Sequence, residues 1–290
     1  MSFLNSELIL NEKGKVYHLD LGPEDIAKNV LLVGDPRRVG LAAKCFDSIR
    51  FETMNREFFT CTGTYRNTEF TVISTGIGTD NIDIVLTELD AAVNIDLGSR
   101  TANKIKRSLN LIRVGTCGTV QSDILPGTLI VSDYAIGTDG LAWYYADADA
   151  YLSPELTERF EDFIAWPENL SKPYAVACDS QLKALFNEEL KFGITVTANG
   201  FYGPQGRSLR ANSALSNYDR ALAAVEWHDL RILNLEMETA GIYFLSKVLG
   251  HRAISVSLVL ANRVAGTFLT EYKPAMEQSL RSTMDRFVAH

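Results

Sequence analysis

Short apolar runs rich in β-branched residues recur along the chain and alternate with segments of helical periodicity. Seven such runs are typical of buried strands, at residues 30–33, 70–74, 109–114, 127–132, 194–197, 232–235 and 254–260. Four segments have the apolar spacing of helices that pack on a core, at residues 80–95, 153–165, 239–249 and 274–288. The alternation predicts an α/β protein with a largely buried sheet.

The domain organisation follows from what interrupts this alternation. The chain contains no internal repeat, low-complexity tract or Pro/Ser-rich linker, which predicts one domain over residues 1–290. One polar segment, residues 96–108 (DLGSRTANKIKRS), lies between a predicted helix and a predicted strand. We expect a surface insertion there, formed by a loop or an added helical turn.

Composition narrows the function classes. The 290 residues are 46% hydrophobic and 22% charged, and the net charge of −8 gives no general attraction to nucleic acid or an anionic membrane. An anionic ligand would therefore need a local cluster of arginines. No apolar run approaches the roughly 18 residues of a membrane span, and the N-terminus lacks the apolar stretch of a signal peptide. The cysteines are widely spaced and favour a reduced, cytoplasmic protein without a zinc site: Cys45, Cys61, Cys117 and Cys178.

A first motif, VGDPRRV at residues 33–39, directly follows a predicted strand. Gly34 allows a ligand to approach the backbone, and Pro36 suits the first position of a helix. The amides at such a helix start bind anions, and Arg38 adds positive charge. A plain connection between strand and helix remains the alternative.

A second motif, STGIGTD at residues 74–80, also follows a predicted strand. Its glycines predict a tight turn before a helix whose N-cap is Thr79 or Asp80. The third glycine of the dinucleotide-binding pattern is missing. The residues leave open whether the turn contacts a ligand or is only structural.

A third motif, RVGTCG at residues 113–118, begins with an arginine at the predicted end of an apolar strand. A buried arginine is costly unless it is paired, and ligands of α/β sheets bind at the carboxyl ends of strands. Arg113 and the Thr116 hydroxyl, on a predicted Gly-Thr-Cys-Gly turn, therefore form a plausible phosphate clamp. A structural ion pair is the alternative for Arg113.

A fourth motif, GFYGPQGR at residues 200–207, combines an aromatic residue with an amide and a guanidinium. Gln205 offers a donor and an acceptor, Arg207 offers donors, and Phe201 can stack on a ring. Together they could recognise the carbonyl and N–H groups of a pyrimidine. A polar surface loop explains the composition equally well.

A fifth motif, NLEMETAG at residues 234–241, leads from a predicted strand into a predicted helix. The Glu238 carboxylate has two acceptor oxygens and could bind both hydroxyls of a ribose. The alternative, stronger for Glu236, is that acidic residues stabilise the N-terminus of the helix.

The ordered series VGDPRRV, STGIG, RVGTCG, FYGPQGR, EMETA and ANR resembles the signature motifs of the trimer-of-dimers nucleoside phosphorylases. The resemblance extends from about Val16 to the C-terminal helix. It implies a single domain with a mixed central β-sheet flanked by helices, and a reaction between a nucleoside and inorganic phosphate. It also implies self-association with sites shared across a dimer, commonly in a homohexamer. No cofactor is implied beyond phosphate as co-substrate, although a monovalent cation is possible.

The resemblance assigns roles to individual residues. It implies a phosphate site formed by Gly34, Arg38, Arg113, Thr116 and, from the neighbouring subunit, Arg56 of the NREF segment. It implies a ribose site formed by Met237, Glu238 and the neighbour's His18 from YHLDL. It places the base against Phe201, Gln205 and Arg207. In some relatives the glutamate of the NREF segment binds a monovalent cation, which makes Glu57 a weak candidate; no other metal ligand is implied.

The choice of base depends on the segment after the last predicted strand, Ala261-Asn262-Arg263. Purine-cleaving relatives and the related nucleosidases carry an aspartate there that protonates the purine. Arg263 cannot deliver a proton at neutral pH but can stabilise a base that leaves as an anion. Arg113, Thr116 and Arg263 are therefore the expected catalytic residues, and uridine is the expected substrate.

Three alternative functions are open from the sequence. A phosphorylase of broader or purine preference is the nearest. A nucleosidase using water is disfavoured, because water needs no arginine clamp. A non-catalytic nucleoside-binding protein is disfavoured because the arginines and Glu238 are all present.

The chain departs from the family pattern in three places. The base loop reads YGPQGR, with Gly206 where a glutamate is common, and the segment 96–108 is longer than in typical bacterial members. Cys117 lies between Thr116 and Gly118, where its thiol is expected to be near the base pocket.

Overall fold

The computed structural model describes residues 2–186 and 190–288. The strands, in chain order, are β1 Asn29–Val33, β2 Ser48–Asn55, β3 Phe58–Tyr65, β4 Thr68–Ser74, β5 Ile95–Asp96, β6 Thr101–Ala102, β7 Asn110–Thr119, β8 Leu129–Gly137, β9 Tyr174–Ala177, β10 Lys191–Thr197, β11 Glu226–Trp227, β12 Leu230–Glu236, β13 Arg252–Asn262 and β14 Thr267–Phe268. The α-helices are α1 Pro36–Ala43, α2 Thr79–Asn94, α3 Pro154–Ile164, α4 Ser180–Lys183, α5 Tyr218–Ala223, α6 Thr239–Leu249 and α7 Lys273–Asp285. Short 3₁₀ turns lie between them, including Gly203–Gln205.

A mixed sheet of twelve strands forms the centre of the described molecule. Ten of them follow in the order β11-β12-β10-β8-β13-β7-β1-β4-β3-β2, while β9 pairs with β8 and β14 pairs with β13. Its middle is parallel, since β1 pairs with β4 and β7, and β7 pairs with β13, in parallel. Strand β12 also pairs antiparallel with β7, so the sheet curls back on itself. The curl brings the carboxyl ends of β10 and β12 toward that of β1.

Burial explains why these segments form strands and helices. All five residues of β1 are buried, as expected for a strand covered on both faces. Helices α2 and α6 pack against each other, and their apolar residues belong to one large core cluster. The predicted α/β class, with a mixed sheet flanked by helices, is confirmed.

The seven predicted strands and four predicted helices all overlap observed elements. One boundary was wrong: β7 continues to Thr119, so the Gly-Thr-Cys-Gly stretch is part of a strand and not a turn. It stays extended because β13 pairs with it along its whole length. The β2–β3 hairpin was not predicted, because β2 is a largely exposed edge strand without an apolar run.

The segment 96–108 forms neither a simple loop nor a helical turn. Strands β5 and β6 form a two-stranded hairpin, and the Phe3 amide donates to the Arg100 carbonyl at its tip. The Arg107 guanidinium donates to the carbonyl of Ile26 and, at 3.1 Å, to that of Pro23. The segment thus holds the N-terminal part of the chain. Among the described residues, no helix is long and apolar enough to cross a membrane.

Candidate active site

The loops after β1, β4 and β12 meet at one edge of the sheet. The Thr75 amide donates to the Val33 carbonyl over 2.7 Å, which joins the ends of β1 and β4. A Cβ on Gly34 would lie 3.4 Å from the Gly76 carbonyl oxygen, so the two loops nearly touch. This edge is where ligands of α/β sheets bind.

Arg113 lies at the centre of this edge. Its side chain is 8% exposed, and its Nη2 lies 2.9 Å from Glu236 Oε2 and pairs with Glu238. Nη1 donates to Ser257 Oγ on β13 over 3.2 Å. A structural ion pair, the alternative for Arg113, is therefore present. It does not exclude a ligand role, since one guanidinium carries five donor hydrogens.

Glu238 links Arg113 to the STGIGTD loop. Its Oε1 accepts from the Gly78 amide at 2.8 Å, at the start of α2. The N-cap of α2 is Gly78, and not Thr79 or Asp80 as predicted. Burial and the neighbouring Glu236 raise the pKa of Glu238, although Arg113 and the Gly78 amide oppose the shift. The same two carboxylates raise the pKa of Arg113 above its ordinary value despite burial.

Glu236 stabilises the N-terminus of α6, which was the alternative interpretation of this residue. Its carboxylate accepts from the amides of Glu238 (2.9 Å) and Thr239 (3.0 Å) at the first turn of α6. It also accepts from the Thr197 hydroxyl on β10. Glu236 therefore fixes the loop that carries the half-buried Met237 and the buried Glu238.

Arg38 approaches the centre from α1, which begins at Pro36 as predicted. Its Nη2 lies 3.4 Å from the Thr116 hydroxyl, and its Nε is buried without a hydrogen-bond partner in the described chain. Burial, and then the charge of Arg113, lower the pKa of Arg38, while Tyr272 counteracts this. Two cations so close together, one with an unsatisfied donor, favour an anion between them.

His18 and Arg56 lie close to each other, at the β2–β3 turn and beside α2. Glu88 on α2 accepts from the His18 amide and from its ring Nδ1 at 2.6 Å, and Asn55 donates to the His18 carbonyl at 2.9 Å. Arg56 is exposed at the β2–β3 turn, with Cζ 5.6 Å from the Tyr17 ring centroid.

Neither His18 nor Arg56 makes a hydrogen bond or ion pair with Arg38 or Arg113 within the described chain. Glu57 follows Arg56, and its backbone carbonyl accepts from the Ser74 hydroxyl at 2.6 Å, beside the second motif. Within residues 2–186 and 190–288, no group of three or more His, Cys, Asp or Glu residues could hold a metal ion.

The base loop brings three predicted residues together. Gln205 is buried, and Arg207 Nη1 donates to its Oε1 at 2.6 Å. The Arg207 guanidinium also lies 4.0 Å from the ring centroid of the exposed Phe201. Burial and the nearby Arg263 lower the pKa of Arg207 to about 10.

Arg263 joins this loop from the end of β13. Its Nη2 donates to the Gln205 carbonyl at 2.6 Å and lies 2.9 Å from Asp219 Oδ1. Its Nη1 is buried without a hydrogen-bond partner in the described chain. The base loop, through Arg207, and Arg263 therefore form one cationic group.

Cys117 is buried near the end of β7. It packs with Ile124, Ile130, Leu233 and Val259 in a small apolar cluster, and burial raises the pKa of its thiol to about 12.

Four residues of the site were not predicted: Glu88, Asp219, Ser257 and Tyr272. Ser257 alone had a detectable signal, as a polar residue inside an apolar strand run. The others lie on helix surfaces or in a loop, far along the chain from their partners.

Residues 28–289 match the model of the phosphorylase superfamily. The chain belongs to this superfamily. The match includes each motif of the site, from the loop after β1 to Arg263, together with helix α7.

Individual relatives support this membership. The chain is 32% identical to a uridine phosphorylase of Thermococcus kodakarensis, over 92% of this chain and 84% of that protein. It is 26% identical to a guanosine phosphorylase of Halorubrum lacusprofundi, over 86% of this chain and 84% of that one. A Trypanosoma brucei nucleoside phosphorylase, whose crystal structure is described as showing uridine phosphorylase activity, superposes with a TM-score of 0.88. That comparison has 27% identity and covers 97% of this chain and 99% of the other.

Proposed function

We propose that the protein cleaves uridine with inorganic phosphate to give uracil and ribose 1-phosphate. Phosphate would bind between Arg38, Arg113 and Thr116, next to the Gly34 loop. The ribose hydroxyls would contact Glu238, with Met237 beneath the sugar. The similarity to uridine phosphorylases at 32% and 27% identity supports this choice within the superfamily.

One observation carries the proposal: each end of the site holds a buried guanidinium donor without a hydrogen-bond partner in the described chain. Arg38 Nε is at one end, and Arg263 Nη1 is beside the base loop. Buried donors are costly when unsatisfied, so the site favours one acceptor-rich ligand at each end. A phosphate and the carbonyl oxygens of a pyrimidine fit these two positions.

The chemistry at the base end separates uridine from purine nucleosides. Purine cleavage needs a proton at N7, which a guanidinium does not release at neutral pH. Uracil leaves with negative charge spread over its carbonyl oxygens, and Arg207 and Arg263 stabilise that charge. Gln205 supplies an amide to the ring edge, and Phe201 flanks it.

We infer that the complete site needs a second copy of the chain. Arg56 is exposed at the β2–β3 turn, Glu88 and Asn55 hold His18, and neither residue forms a hydrogen bond or ion pair with Arg38 or Arg113 within the described chain. In a dimer they would reach the phosphate and the ribose 5′-hydroxyl of the neighbour. A homohexamer would contain three such dimers, and Glu57 would be a monovalent-cation ligand at the shared boundary.

The test compares uridine, thymidine, inosine and adenosine as substrates at a fixed phosphate concentration. We expect uridine to have the highest kcat/KM. A higher kcat/KM for inosine or adenosine would contradict the base assignment and favour the purine-cleaving alternative. The 26% identity to a guanosine phosphorylase is the observation that supports this alternative.

A further inference from the structure

The short helix α5 packs directly on the base loop. Gly206 has φ +74°, and a Cβ there would lie 2.8 Å from Tyr218 Cβ and 3.2 Å from the Leu215 carbonyl oxygen. A side chain at position 206 would therefore push α5 away from the loop. The departure of this chain at Gly206 is what allows α5 to lie so close.

This packing places the Asp219 carboxylate on Arg263. Asp219 Oδ1 lies 2.9 Å from Arg263 Nη2, and their side chains are 30% and 8% exposed. The same Nη2 donates to the Gln205 carbonyl at 2.6 Å. Nη2 thus has a hydrogen bond to the Gln205 carbonyl and an ion pair with Asp219, and Nη1 stays available to another acceptor.

The charges in this group favour a role beyond packing. Arg207 and Arg263 are both cationic, and each lies close enough to Asp219 to influence its titration. Burial raises the pKa of Asp219, and the attraction of Arg263 and then Arg207 opposes that rise. Asp219 thus supplies the negative charge that lets two guanidinium groups remain together in a partly desolvated site.

We propose that Asp219 is a positioning residue and a determinant of base specificity. By holding Arg263 through Nη2, it leaves Nη1 as the donor for a carbonyl oxygen of the departing base. The inference rests on the proposed function and deepens it, since neither the motifs nor the resemblance assigns Asp219 a role. Held by Arg263, Asp219 positions a cation and does not donate a proton to a purine.

The test uses the full-length protein with Asp219→Ala, Asp219→Asn and Asp219→Glu, assayed with uridine and phosphate. We expect Asp219→Ala to lower kcat by about 10- to 100-fold, because misplacement of a group by about 1 Å has effects of that size. The KM for phosphate should change less than about twofold, because Arg38 and Arg113 are untouched. Asp219→Glu keeps the carboxylate and should therefore lower kcat less than Asp219→Ala does. The kcat of Asp219→Asn should lie between those of these two variants.

A second substrate separates positioning of the leaving base from a purely structural effect. Fluorine at C5 makes uracil a better leaving group, so 5-fluorouridine depends less on stabilisation by Arg263. We expect the loss caused by Asp219→Ala to be clearly smaller with 5-fluorouridine than with uridine. Asp123→Ala, which removes a more exposed Asp–Arg pair with Arg231 at 3.0 Å outside the site, is the control and should leave both rates unchanged.

Each outcome has a definite meaning. Equal losses with both substrates, or a raised KM for phosphate, would overturn the inference, because the variant would then disturb the site as a whole. Unchanged kcat in Asp219→Ala would also overturn it while leaving the proposed function intact. If the unmodified protein prefers inosine and Asp219→Asn abolishes that activity, Asp219 is a proton donor, and both proposals are wrong.

Discussion

Gly115→Ala should inactivate the enzyme without changing any charged residue. A Cβ at this position would lie 1.8 Å from Arg113 Nη1 and 2.4 Å from Cζ. Ordinary contact needs about 3.5 Å, so the guanidinium would have to retreat by more than about 1.5 Å. That movement would break the 2.9 Å pair with Glu236 and the hydrogen bond to Ser257.

The size of the effect follows from this displacement. Overpacking a buried position costs about 1–3 kcal/mol of folding stability. A catalytic group misplaced by about 1 Å loses about 100-fold in rate, so we expect kcat/KM for uridine to fall by at least that factor. The KM for phosphate should rise as well, because Arg113 is a proposed phosphate ligand.

The assay follows the absorbance change on uridine cleavage at several phosphate concentrations, after circular dichroism has shown that the variant is folded. Gly40→Ala is the matched control, because a Cβ there meets no atom within 4 Å. It lies in α1 and should be neutral or stabilising by up to about 1 kcal/mol. A folded Gly115→Ala protein with kcat/KM close to that of the unmodified enzyme would refute the role given to Arg113.

Four other predictions test separate parts of the site. Arg38→Met should lower kcat/KM by about 100- to 1,000-fold, mainly through phosphate, and an unchanged KM for phosphate would argue against this. Arg263→Asp should abolish uridine turnover, and unchanged turnover would show that Arg263 does not contact the base. Glu88→Gln should loosen His18 and raise the KM for uridine about tenfold. The KM for 5′-deoxyuridine, which lacks the 5′-hydroxyl, should not change. An equal rise in KM for both substrates would argue against a contact between His18 and the 5′-hydroxyl. Arg207 is charged below its pKa of about 10, so uridine turnover should fall as the pH rises through that value; Arg207→Gln should be slower and lack this decline, and an identical decline in the variant would assign it to another group.

The buried parallel strands were predictable because their signal is local. Strand β1 is apolar from Val30 to Val33, and its carboxyl end follows from Gly34 and Pro36. The edge strand β2 has no such run, since one side of it is exposed, and its pairing with β3 depends on a partner that the local pattern does not specify.

The end of β7 was misjudged for a related reason. Polar and glycine residues after Val114 are typical of a turn, yet they continue a strand. The curled sheet places Ser257, Glu236 and Glu238 around Arg113 and so satisfies its polar atoms. Such compensation comes from strands more than 100 residues away and leaves no local trace.

The residues of the site also divide into those that a local motif predicts and those that it does not. The residues proposed to contact the ligand belong to short motifs, so Arg38 and Gln205 could be proposed from the sequence. Residues that hold those groups in place, such as Glu88 and Asp219, contact them through tertiary packing alone. Their identity as ordinary acidic residues on helices gives no sign of that role.

In the proposed reaction, phosphate and not water attacks the ribose of uridine. The most direct measurement follows uracil release from uridine by the purified protein, first in phosphate-free buffer and then with added phosphate, while ribose 1-phosphate is quantified. We expect release only when phosphate is present, with one ribose 1-phosphate formed for each uracil. Equal rates without phosphate, with free ribose as the product, would contradict it.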